Sequence, residues 1–227
     1  MPERMTDIPL REVLHFLGWR GTPLDDALLA QLRAQIRLAR ESVRPRVVTR
    51  RFALEPGGLL SGTRLCPQGN DVRAMLAPCG EVVLMAATLG AGSERLLLRA
   101  QARSSGEAVV MDAVLSAAIE AVCDEAERAL RADLAAKGKY LTDRFSPGYG
   151  DMPLEQTREI CAVLDTGRAI GLTVSHSGIM IPRKSVTAIL GISDQPVKRR
   201  PSGCEGCAAR ARCALRRGPD EEQGDIP

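Results

Sequence analysis

Aromatic side chains are scarce in this sequence: one Trp, two Tyr and three Phe make up 3% of its 227 residues. So few flat faces leave little on which bases could stack, and a net charge of +3 is too small to argue for phosphate contacts, so no nucleic acid partner is expected. Long apolar runs are missing too. No stretch approaches the ~20 residues needed to cross a bilayer, and the start, Met1 to Asp7, is charged rather than apolar. No membrane partner is expected, and the chain is placed in the cytoplasm. The two histidines, His15 and His176, lie far apart and in no metal or triad spacing. No Gly-x-Ser-x-Gly elbow occurs, and the turn from Thr88 to Gly92 lacks the third glycine and the lysine of a phosphate-binding loop. An acid, base or nucleophile is therefore not assignable from spacing.

What is present describes a globular α+β chain. Hydrophobic residues make up 44% and charged residues 26%, enough for one good-sized domain or two small ones. Leu10, Val13, Leu14 and Leu17 recur at helical spacing before Gly18. Thr22 and Pro23 mark the start of a second helix, which carries Leu24, Leu28, Leu32 and Ile36 as a stripe and ends before Pro45. Strands are expected at Arg46 to Leu54, Glu81 to Leu89, Ile170 to Ser175 and Lys184 to Ile192, and helices at Ser93 to Arg103, Gly106 to Ala136 and Pro153 to Leu164. These elements interleave without a βαβ repeat, which predicts a mixed α+β fold. The expected divisions are a helical segment over 1–45, a core over 46–195 and a Cys/Arg-rich, partly disordered tail over 196–227.

The densest local signal runs from Arg144 to Pro153, where a cation, two prolines, two glycines and one of the two tyrosines fall within ten residues. Pro147 fixes its own φ and makes Ser146 extended, while Gly148 permits a turn or a close approach to a ligand. Arg144 offers a planar fork suited to a carboxylate, and Tyr149 an aromatic face with a hydroxyl at its rim. The segment reads either as a ligand-binding wall or as a solvated turn. On the long helix, Asp112, Ser116, Glu120, Asp124, Glu127 and Arg131 step by three or four into one polar stripe, either a solvated face or one turned to a cavity or partner.

Seven cysteines is an odd number for a disulfide framework. Cys204, Cys207 and Cys213 place three thiols within ten residues of the tail, a spacing that can wrap a soft metal such as iron in a cluster or zinc. A fourth ligand would come from Cys66, Cys79, Cys123, Cys161, a histidine or another chain. Reactive, metal-free thiols are the alternative.

In order along the chain, Arg144-x-x-Pro147-Gly148-Tyr149, Ile170-Gly171-Leu172, Met180-x-Pro182 and Lys184-Ser185-Val186, with Asp112 and Glu120 upstream, resemble the reactivation domain of cobalamin-dependent methionine synthase in its stand-alone form. Leu10 to Trp19 looks like the opening helix of such proteins, and the cysteine cluster is similar to tails found on some of them. The chain departs from the large enzymes at Ser175 and His176, where they carry a Thr followed by an acid.

The resemblance implies a curved antiparallel sheet with flanking helices and a site for S-adenosylmethionine. Its residues would be Arg144, Ser146, Gly148, Tyr149 and Glu120. It also implies that the chemistry belongs to a cobalamin carried by a partner, a methionine synthase or other corrinoid protein, with a flavodoxin-like electron donor. This chain has no cobalamin-binding Asp-x-His-x-x-Gly segment of its own. The alternatives are an iron-sulfur-assisted activator of another corrinoid methyltransferase system, or a binding protein whose ancestral site has decayed.

Overall fold

The computed structural model describes residues 7–19, 23–197 and 211. A four-stranded sheet in the order β1-β2-β6-β3 lies at its centre, with every neighbouring pair antiparallel. Its strands are β1 (Arg46–Ala53), β2 (Glu81–Thr88), β3 (Tyr140–Leu141) and β6 (Ser185–Ser193). A separate two-stranded ribbon joins β4 (Thr173–Val174) to β5 (Met180–Ile181). The α+β class expected from the sequence is the one observed.

Helices cover both faces of this sheet. The larger core cluster unites α1 (Leu10–Phe16), α2 (Asp26–Ser42), α4 (Ala91–Arg103) and α5 (Ser105–Ala135) with Val83, Met85 and Ala87 of β2 and Ala188, Leu190 and Ile192 of β6. The smaller cluster joins α3 (Asn70–Leu76), α6 (Gln156–Leu164) and α7 (Thr166–Ile170) to Val82, Leu84 and Ala86 of β2 and Ile189 of β6. Because side chains alternate across a strand, a strand covered on both faces must be apolar at nearly every position, and seven of the eight β2 residues are buried. Among the described residues no helix is long and apolar enough to cross a membrane.

Helix α5 is the main support. Ser104 accepts the Glu107 amide at 3.1 Å and caps its first turn. Met111, Val114, Leu115, Ala118, Ile119, Val122 and Ala126 then bury one broad side against the larger cluster.

Three expectations are corrected locally. Helix α2 begins at Asp26, and its cap is Asp25, which accepts the Leu28 amide at 2.6 Å; Thr22 lies outside the described residues. The β-branched stretch expected as a strand from Ile170 is instead the end of α7, a left-handed Gly171 and the two-residue β4. Thr166 stabilises that compact corner by donating to the Leu172 carbonyl at 2.7 Å. Helix α3 was not expected at all, since seven residues carry too little periodicity and its N-terminus is satisfied from a distant loop.

Candidate functional site

The segment after β3 runs along the edge of β6 and carries Arg144. Leu141 pairs with Ile192 and Phe145 bridges to Ile189, so four residue steps on this segment match three on β6. One residue is therefore extra, and the edge bulges. The bulge has a consequence for side-chain direction. Leu141 and Phe145 would share a face in a regular strand, but Leu141 joins the larger core cluster and Phe145 the smaller one. Arg144, preceding Phe145, turns to the opposite side, toward α5. Thr142 fixes the bulge: its amide donates to the Gly191 carbonyl at 2.9 Å and its hydroxyl accepts the Gly191 amide at 2.8 Å.

Arg144 meets three carboxylates of α5. Its Nη2 lies 2.7 Å from Asp124 and 3.3 Å from Glu120, and its Nη1 lies 3.6 Å from Glu127. Only 18% of the Arg144 side chain is exposed, and Nη1 is buried without a hydrogen bond. Glu127 is in turn held by Arg131 at 2.7 Å, and Arg131 donates to the carbonyls of Leu141 and Thr142. Burial raises the Glu120 carboxyl above its usual range; Arg144 pulls it down, while Asp124 and Glu12 push it up. Beneath this group, burial pushes the Cys123 thiol up to about 12, so it is a packing residue rather than a thiolate.

The rest of the stripe is also engaged. Lys184, at the start of β6, places Nζ 2.8 Å from both Asp112 and the Ser116 hydroxyl. The stripe is thus lined with ion pairs, from Arg144 beside β6 and from Lys184 just before it. The sequence foreshadowed it in the spacing of Glu120, Asp124 and Glu127, but gave no sign that Arg144 was their partner.

Beyond Arg144 the chain folds into nested turns. Gly148 donates to the Met152 carbonyl at 2.9 Å, Tyr149 to Ser146 at 3.1 Å and Met152 to Tyr149 at 3.0 Å. Met152 is buried in the smaller cluster, whereas Tyr149 and Leu154 stand out as 68% and 57% exposed apolar groups. Asp151 pins the loop from below by accepting the Asn70 and Asp71 amides at 2.6 and 3.1 Å, and these bonds hold its carboxyl below the usual range. Gly150, at φ +53, backs directly onto the Asp71 carboxyl, where a Cβ would collide. Of the sequence-expected residues, Arg144 and Glu120 are in direct contact, and Ser146, Gly148 and Tyr149 extend from Arg144 as one rigid lip. The Gly148 and Tyr149 amides are spent inside the loop, and the Arg144 fork is held by Glu120, Asp124 and Glu127.

A recess of about 330 Å³ lies further along α5, lined by Phe16, Leu97, Val109, Asp112, Ser116 and Arg183 among others. No residue of the 144–153 loop lines it, although Ser116 is one helical turn from Glu120. Cys204, Cys207 and Cys213 lie outside the described residues. Among the described residues, no cluster of His, Cys, Asp and Glu is arranged to hold a metal ion. Of the other proposed ligands, Cys79 and Cys161 are buried thiols with pKa values raised by that burial, Cys79 to about 11.

No family model matches this sequence, and no curated protein matches it. Solved structures do. One is the crystal structure of the MetH reactivation domain bound to AdoHcy; it aligns with a TM-score of 0.56 at 15% identity, covering 80% of this chain and 74% of that one. The two chains share a fold.

Proposed function

We propose that this chain is a reactivation subunit that binds S-adenosylmethionine at the Arg144 to Tyr149 loop and supports reductive methylation of oxidised cob(II)alamin on a partner methionine synthase. The observation that carries this reading is the loop itself. A half-buried guanidinium, a lip of backbone tied by its own hydrogen bonds and an exposed Tyr149 follow one another within six residues, on a fold shared with a domain that was crystallised with AdoHcy. Arg144 would take the carboxylate, Ser146 and Gly148 would define the lip, Tyr149 would cover the apolar or ring surface, and Glu120 would hold an ammonium or hydroxyl.

A partner's cobalamin would supply the reactivity, with a flavodoxin-like donor supplying the electron, while Arg144, Ser146, Gly148, Tyr149 and Glu120 would hold S-adenosylmethionine so that its sulfonium methyl group faces that cofactor. In this scheme the chain supplies placement and the partner's cofactor supplies reactivity. Cys204, Cys207 and Cys213 are proposed as ligands of an iron-sulfur cluster or zinc, and the protein as cytoplasmic.

Calorimetric titration of the full chain with S-adenosylmethionine tests the central claim. Saturable heat is expected, and Arg144→Ala should weaken binding by about 1.5 to 3 kcal/mol, the range of a hydrogen bond to a charged group. Unchanged affinity in that variant removes the loop from the site. An absorption spectrum and metal analysis of anaerobically purified protein test the cysteines: a brown protein with a charge-transfer shoulder assigns the cluster.

A further inference from the structure

The contacts of Arg144 differ in how easily they can be given up. Glu127 is 15% exposed, lies on the inner side and is fixed by Arg131, so it cannot move without breaking a second ion pair. Asp124 makes the shortest contact, 2.7 Å, yet its side chain is 59% exposed. It can swing into water at little desolvation cost, and exposed ion pairs are weakly held. Glu120 lies between these cases, 44% exposed and 3.3 Å away.

We propose that Asp124 is an internal counter-ion that the ligand's carboxylate displaces from Arg144, so that the site selects an α-amino acid end over a lone carboxylate. This rests on the function proposed above. A carboxylate that takes Nη2 leaves Asp124 and Glu120 facing each other, with Glu12 nearby, and without their shared cation. An ammonium on the same ligand replaces that cation. The exchange is neutral for a zwitterion: one guanidinium-carboxylate pair opens, one forms, and the displaced acids receive the ammonium. A simple carboxylate opens the same pair and returns nothing, which is selectivity by mismatched charge. Asp124 is thus a specificity residue, which gives up Arg144 and, with Glu120, takes the ligand's ammonium.

The test is calorimetric titration of the full chain with S-adenosylmethionine and with its deaminated analogue, in which hydrogen replaces the α-ammonium. Wild type, Asp124→Asn and a control, Asp133→Asn, are compared; Asp133 pairs only with Lys137 among the described residues, away from the site. Wild type is expected to prefer the methyl donor by about tenfold or more, the scale of one charge-assisted contact. Asp124→Asn should tighten the deaminated analogue by about two- to fivefold, the scale of one exposed ion pair, while the methyl donor changes far less, so the preference narrows. Asp133→Asn should keep the wild-type preference. If wild type binds both ligands equally, or if Asp124→Asn leaves the analogue's affinity unchanged or weaker, the exchange is overturned and the methyl-donor reading stands. Wild type that binds neither ligand overturns both.

Discussion

Glu120 carries a conflict that a single residue makes visible: it faces Arg144 at 3.3 Å, yet burial and neighbouring acids raise its carboxyl above the usual range. A raised folded value means that the folded state holds the proton more tightly than the unfolded one. The resulting stability is fully present below the ordinary carboxylate pKa and is lost as pH rises through the raised value. Glu120→Gln should therefore flatten the fall in Tm between acid and neutral pH, as read by thermal melts across that window. A slope identical to wild type would show that the Arg144 pair, not burial, governs this carboxyl. Arg144 and Glu120 were each legible in the sequence, one as the cation of a stiff loop and the other as the middle of a polar stripe. Their contact was not, because it depends on a bulge that turns Arg144 away from Phe145 and toward α5.

At the scale of elements, the loop and α3 hold each other. Asp151 accepts two amides at the start of α3, and those amides would otherwise be among the helix's orphan donors. The carboxyl is held below its usual range, so its contribution is present above the ordinary carboxylate pKa and is lost as pH falls through the lowered value. Asp151→Asn should loosen the loop and α3 together at neutral pH and make little difference in strong acid. Amide hydrogen exchange of Asn70 and Asp71 is the measurement, and equal protection in both proteins at neutral pH would dismiss the cap. The sequence placed the long helices within a few residues, because α2 and α5 carry many turns of periodic signal, although it did not point to their caps, Asp25 and Ser104. It missed α3 and misread the start of the Ile170 stretch, because short elements take their shape from partners far away in the chain.

For the whole molecule, the deciding feature is a sheet covered on both faces. Its two central strands leave little spare volume, and Gly191 of β6 shows how little: a Cβ there would meet Leu76 at the end of α3 and Cys79 just beyond it. Gly191→Ala should lower stability by about 1 to 3 kcal/mol through overpacking, measured by urea denaturation. Because Gly191 also exchanges hydrogen bonds with Thr142 at the bulge, the same variant should reduce methyl-donor affinity. A fully stable variant with wild-type binding would mean that the two layers can shift apart without disturbing the edge.

The apolar run of β2, the amphipathic helices and the proline and glycine spacing around Arg144 are local properties, and they determined the α+β class and singled out the loop. The sequence could do this because periodicity, caps and backbone restriction act over a few bonds. Only the tertiary structure decided which charges meet. Placing Arg144 against Glu120, Asp124 and Glu127, and Asp151 under α3, requires one extra residue in the edge pairing and contacts spanning up to 81 positions. Ion pairs of that kind are set by the packing of distant elements, which no local pattern encodes.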